Sequence, residues 1–130
     1  MSDIDFLSLQ DVLLAHQDQI ARYGGDPSVR DLGLLESAIA QPQVTFGDAF
    51  LHEFPFGMAA AYLFHIVLNH PFVDGNKRSG AVAALLFLEL NNIGTVAPAG
   101  SIYELTMTVA NGLADKPVIA EFFRFHAITS

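Results

Sequence analysis

The chain has 130 residues, no cysteine and a formal net charge of −8, with 52% hydrophobic and only 15% charged residues. That balance excludes disorder, and the acidity excludes general nucleic-acid binding, because a phosphate backbone needs a basic face. Disulfides and thiolate metal sites are excluded by the missing cysteine, and the length predicts one domain over residues 1–130 that buries roughly two-thirds of its unfolded surface.

The first residues, Met1-Ser2-Asp3-Ile4-Asp5, are acidic and lack the basic segment of a signal peptide. Ser8-Leu9-Gln10-Asp11 then resembles a capping box with Asp in place of Glu. It opens a helix in which Leu9, Val12, Leu13, His16 and Ile20 recur at helical spacing until Gly24-Gly25 stops it. A second helix is predicted from Leu32 to Ala40, started by Asp31 and ended before Pro42. Gln43–Phe50 alternates weakly and carries Gly47-Asp48, a pattern that suits a short hairpin or an exposed loop. Phe56 to His70 is apolar almost all round, as is the stretch from Arg78 to Leu90, and helices of that kind belong at the centre of a bundle.

The longest apolar runs, Met58–Leu68 and Ala81–Leu88, fall short of the ~20 residues that span a bilayer, so a cytoplasmic protein without a membrane partner is expected. Ser101-Ile102-Tyr103-Glu104 reads as a capping box for a further helix closed by Asn111-Gly112. Pro117 suits the first turn of a last helix carrying Val118, Ile119, Phe122, Phe123 and Phe125, aromatics that fit core and interface better than a ligand cage. The fold class is therefore all-α, about six helices around two central buried ones, with Val44–Phe50 as a candidate flap.

Between the two central helices lies His70-Pro71-Phe72-Val73-Asp74-Gly75-Asn76-Lys77-Arg78, far more polar than its flanks. Pro71 disfavours helical geometry at His70 and should leave the imidazole at the mouth of a loop. Gly75 permits a left-handed turn in which backbone N–H groups converge. Asn76, Lys77 and Arg78 begin the next helix, whose free N–H groups and dipole favour an anion, and Arg78 can fork onto phosphate oxygens. Asp74, the one acid beside this cationic site, suits Mg²⁺ held against phosphates. His70 suits a general base, since histidine exchanges protons near neutral pH.

Each residue also has a plain structural explanation: His70 beside helix-end carbonyls, Asp74 as a turn former, Asn76 as a helix cap. Their joint occurrence with Gly75, Lys77 and Arg78 favours chemistry. Phe72 reads as a structural anchor plugged into the core. Asn69 reads equally as a partner for loop backbone or an exposed helix residue. His65, five residues before His70, faces elsewhere and reads as a hydrogen-bonded core histidine. His16, His52 and His126 read as surface or packing residues.

The run His70–Arg78 resembles the signature of the Fic fold, His-x-Phe-x-Asp/Glu-Gly-Asn-Gly/Lys-Arg, and most closely its Doc (death-on-curing) branch. Arg22-Tyr23-Gly24-Gly25, the Arg30-Asp31-x-Gly33-Leu34-Leu35 segment and Leu85-Leu86-Phe87-Leu88 also look like that branch. The resemblance implies a toxin of a bacterial or prophage toxin–antitoxin pair, with ATP and Mg²⁺ as cofactors and a Phd-like antitoxin as partner. It implies His70 as catalytic base, Asp74 as metal ligand, Gly75 as loop glycine, Asn76, Lys77 and Arg78 as phosphate contacts and Phe72 as anchor.

Two departures from the adenylylating members of the fold stand out. Those members usually have glycine where this chain has Lys77, and a second arginine where it has Ala81. The pattern here resembles Doc proteins that phosphorylate elongation factor Tu. The expected activity is therefore transfer of the γ-phosphate of ATP to a protein hydroxyl, on a translation factor such as that one. Protein adenylylation with the same base and metal ligand is the first alternative, and a non-catalytic partner-binding module the second. In many Fic proteins a Ser/Thr-x-x-x-Glu-Gly/Asn segment blocks the motif arginine. Glu36, Glu53, Glu89, Glu104 and Glu121 all lack that context, so restraint in trans is expected.

Overall fold

The computed structural model describes residues 3–129 and contains six helices: α1 (Leu9–Tyr23), α2 (Leu32–Ala40), α3 (Phe56–Asn69), α4 (Asn76–Leu90), α5 (Ser101–Ala110) and α6 (Lys116–Phe125). Two small antiparallel ribbons complete it: β1 (Thr45–Phe46) with β2 (Ala49–Phe50), and β3 (Ile93–Thr95) with β4 (Ala127–Thr129). The helical class and the central pair match the sequence reading.

α3 is central because its composition leaves it no solvent face. Met58, Ala59, Ala60, Ala61, Tyr62, Leu63, Ile66 and Val67 are all buried. Even the Tyr62 hydroxyl is satisfied internally, accepting from the Leu7 N–H at 2.9 Å, and burial pushes its pKa up to about 12. α4 packs against α3 through Gly80. A Cβ there would stand 2.8 Å from Val67 Cγ2 and 3.2 Å from the Leu63 carbonyl, so only a glycine lets the two axes come this close.

The capping box at Ser8 and Asp11 forms with both of its bonds, and Asp31 caps α2. The second box does not form. Gly100, in the left-handed region at φ 82°, is the N-cap of α5, and Ser101 sits inside the first turn, its hydroxyl donating to the Pro98 carbonyl at 2.7 Å. The left-handed glycine moves the cap one residue earlier than the side-chain pattern suggested. Gln43–Phe50 resolves to a hairpin turning at Gly47-Asp48, with Thr45 opposite Phe50 and Phe46 opposite Ala49. Phe50 roots it on Phe6, with ring centroids 5.6 Å apart, while Phe46 stands 84% exposed. The hairpin immediately precedes α3, at whose far end the motif begins.

Candidate active site

Pro71 ends α3 as expected, and His70 is its cap in a left-handed conformation (φ 52°, ψ 52°) that few non-glycine residues adopt. The imidazole is exposed and lines a cavity of about 510 Å³. Asp74, Gly75, Asn76, Lys77 and Arg78 line the same cavity, so the structure brings the sequence-predicted residues to one place. Gly75 is the left-handed N-cap of α4 (φ 82°), and no side chain caps that helix. The leading N–H groups of α4 are therefore available to an anion.

Phe72 is fully buried, as an anchor should be. Asn76 does something the sequence did not reveal. Its side chain is 5% exposed, its Oδ1 accepts from the Phe72 N–H and its Nδ2 donates to the Phe72 carbonyl, both at 2.9 Å. The amide thus clips the loop shut across four residues, and Asn76 lines the cavity together with the two cations.

The cations sort themselves by partner. The chain has six. Arg22 pairs with Asp18 and Arg124 with Glu121 and Glu53. Arg30 donates to the carbonyls of His70 and Asn69, and Lys116 to two imidazoles. Only Lys77 and Arg78 are left without a hydrogen-bonding or carboxylate partner among the described residues, and both face the cavity. Arg78 instead lies over the Tyr23 ring, 4.5 Å from its centroid.

The Asp74 carboxylate accepts the Asp26 N–H on Oδ2 at 2.8 Å, and Oδ1 has no donor among the described residues. One carboxylate with a free oxygen beside an anion site suits Mg²⁺, which takes one or two protein carboxylates together with substrate phosphates. Among the described residues no three His, Cys, Asp or Glu gather into a metal cage. Asp74 is the carboxylate at the cavity that could hold a metal ion.

The loop is braced from two sides that sequence reasoning missed. From α2 and the segment before it, the Val73 N–H bonds the Ser28 carbonyl, and the Arg30 and Asp31 N–H groups both bond the Pro71 carbonyl. Asn69 reaches the Leu34 carbonyl at 2.9 Å, fastening α3 to α2 rather than serving the loop. From α1, His16 proves to be a packing residue, as one of its two readings held, but a buried one set against the motif. The periodicity that placed it with Val12 and Ile20 was the available signal. His65 is hydrogen-bonded as read, accepting from Lys116 Nζ at 3.1 Å, and His52 accepts from the same ammonium at 3.1 Å.

Comparison with known proteins now decides the family. Residues 6–88 match the Fic/DOC family. The chain belongs to the Fic/DOC family. It is 41% identical over 93 residues to "Toxin Doc" of Mycolicibacterium smegmatis, covering 72% of this chain and 69% of that protein. It is also 30% identical over 118 residues to "Protein kinase doc" of Escherichia phage P1, covering 91% of this chain and 92% of the phage protein. Among the described residues of this Fic/DOC protein, no helix is long and apolar enough to cross a membrane.

Proposed function

We propose that this chain is a Doc-type toxin that transfers the γ-phosphate of ATP to a hydroxyl of a target protein. The observation that carries the reading is the pair of uncommitted cations, Lys77 and Arg78, facing the same cavity as the exposed His70 imidazole. A site with those parts can hold a polyphosphate and deprotonate a hydroxyl beside it.

In the reaction, His70 removes the proton of the incoming hydroxyl as its oxygen bonds to the γ-phosphorus. The bond to the bridging oxygen breaks, ADP leaves, and the proton remains on the imidazole until it is lost to solvent. Lys77, the fork of Arg78 and the leading N–H groups of α4 hold the phosphoryl oxygens in place, so the work is positioning and charge stabilisation. Asp74 is the residue that would hold Mg²⁺, which when bound neutralises phosphate charge.

The cavity supports γ-transfer over adenylylation through what it lacks. Ala81, one turn beyond Arg78, lines it with Val82, Ile102, Tyr103 and Thr106, so no second arginine stands where the far phosphates of an adenylylating pose would need one. The relative named a protein kinase points the same way.

The hairpin Thr45–Phe50 is the segment we assign to the target, through main-chain pairing along its exposed edge. A translation factor such as elongation factor Tu is the proposed target, and a Phd-like antitoxin folding as an amphipathic helix the proposed restraint.

Labelled ATP tests the reaction. A target that acquires label from the γ-phosphate, and not from the α-phosphate, supports phosphoryl transfer. Label from the α-phosphate makes the chain an adenylyltransferase, and label from neither position in the presence of a bacterial lysate makes it a binding module.

A further inference from the structure

His16, Gln19, Ile20 and Tyr23 form one stripe of α1, at i, i+3, i+4 and i+7. The stripe backs the motif from Phe72 to Arg78. His16 is 1% exposed, and a histidine buried that deeply is costly unless its polar atoms are used. Its ring lies flat on Phe72, with centroids 3.6 Å apart and planes 5° from parallel. Its Nε2–H donates to the Asp74 carbonyl at 2.8 Å. Its Cδ2 and Nε2 are each 3.5 Å from where a Cβ on Gly75 would stand. One imidazole thus touches the anchor, the backbone of the carboxylate residue and the loop glycine.

Two turns further on, Tyr23 meets the other end of the motif. Its ring lies under the Arg78 guanidinium, 4.5 Å from centroid to Cζ, and both residues line the cavity. Stacking uses the face of a guanidinium and leaves the in-plane N–H donors free. A carboxylate partner would have occupied those donors. Tyr23 therefore narrows the rotamers of a long side chain without competing with phosphate.

We propose that α1 is a positioning element for nucleotide binding, in which His16 fixes the direction of Asp74 and Tyr23 that of Arg78. Neither is a catalytic residue. The proposal rests on the reading of the cavity as a metal–nucleotide site, and the test separates the two.

The experiment measures Mg·ATP affinity of the purified full chain by calorimetry, with thermal unfolding recorded for every variant. Arg78→Ala and Asp74→Asn are the reference variants. Tyr23→Leu should weaken Mg·ATP binding about 2- to 5-fold, the worth of an exposed cation–π contact, whereas Tyr23→Phe keeps the ring and should bind like the parent. In an Arg78→Ala background Tyr23→Leu should cost nothing further, a non-additivity that a merely structural tyrosine would not show. His16→Phe keeps the stacked ring and loses the donor, and should raise the Mg²⁺ needed for half-saturation at fixed ATP about tenfold.

Additive losses for Tyr23→Leu and Arg78→Ala overturn the proposal, as does a folded His16→Phe with the parent's Mg²⁺ requirement. If His16→Phe does not fold, His16→Leu also lacks the donor and is read the same way. If neither folds, His16 is a packing residue and the proposal fails for it. If Arg78→Ala and Asp74→Asn themselves bind like the parent, the nucleotide reading fails and takes this proposal with it. If those two lose binding while the α1 variants do not, this proposal alone fails.

Discussion

The guanidinium of Arg30 donates to the carbonyl of His70 through Nε at 2.7 Å, across 40 residues of chain. A second bond from its Nη2 reaches the Asn69 carbonyl at 3.0 Å. The last carbonyls of a helix have no partner within it, and here a cation supplies one while complementing the negative end of the dipole. The same contact braces the backbone at His70, where the chain is left-handed and carries the imidazole.

Arg30→Ala should therefore reduce both stability and turnover. Charge-assisted bonds are worth about 1.5–3 kcal/mol, and partial exposure places this one at the lower end. Urea unfolding should show a loss of about 1–2 kcal/mol, and phosphoryl transfer should fall through kcat more than through nucleotide KM. A variant with reduced stability but the parent's kcat would show that Arg30 does not orient His70, the proposed base.

Asn76 offers a sharper contrast between folding and chemistry. Asn76→Asp is nearly isosteric but removes the Nδ2 donor from the Phe72 carbonyl and places a negative charge in the loop. An unpaired buried acceptor costs about 1–3 kcal/mol. Differential scanning should therefore find a lower Tm without any nucleotide present. An unchanged Tm with weakened Mg·ATP binding would instead return Asn76 to the role of a direct phosphate ligand.

The physics behind these two residues also explains what the sequence could and could not reveal. The motif was legible because its chemistry is contiguous: His70, Asp74, Gly75, Lys77 and Arg78 span nine positions and need only a helix end and a tight turn to converge. α3 was legible because an apolar surface all round a helix has one place to go. Arg30 carried no signal of its role beyond the family resemblance of its segment, since its partners lie at a different helix end and only tertiary packing brings them together. The β3–β4 ribbon was equally silent, because three residues per strand are too few for an alternation to register. Asn76 was ambiguous for a different reason. An amide at the start of a helix suits an anion, a cap or a loop clip, and only the tertiary structure shows its two bonds to the buried backbone of Phe72.

At Gly80 the close approach of α3 and α4 makes a direct prediction about stability. Gly80→Ala would gain helix propensity of up to about 1 kcal/mol. The added methyl, however, would meet Val67 Cγ2 at 2.8 Å and the Leu63 carbonyl at 3.2 Å. Overpacking of that kind typically costs about 1–3 kcal/mol. The clash should win, because one of the two obstacles is backbone that cannot rotate away. A Gly80→Ala chain more resistant to urea than the parent would mean that the central helices part without cost.

Lys116 Nζ donates to His52 Nε2 and His65 Nε2, tying the start of α6 to α3 and to the segment between the hairpin and α3. Burial, then the Lys116 ammonium, then His52 push the His65 pKa from 6.5 down to about 4. His52 is pushed down as well, chiefly by burial and next by Lys116. The folded state thus prefers neutral imidazoles, and the unfolded chain takes up the proton first. Stability from His65 is therefore fully present above about pH 6.5 and is lost as the pH falls towards about 4.

The imidazole is half-buried, so screening by solvent reduces the effect to on the order of 1 kcal/mol. His65→Asn should flatten the fall in unfolding free energy between pH 6.5 and pH 4. Lys116→Met should flatten it less, because it removes the ammonium and leaves the larger cause, burial, in place. If the parent and His65→Asn lost stability in parallel across that window, the triad would be a hydrogen-bonded strut with no part in the acid response.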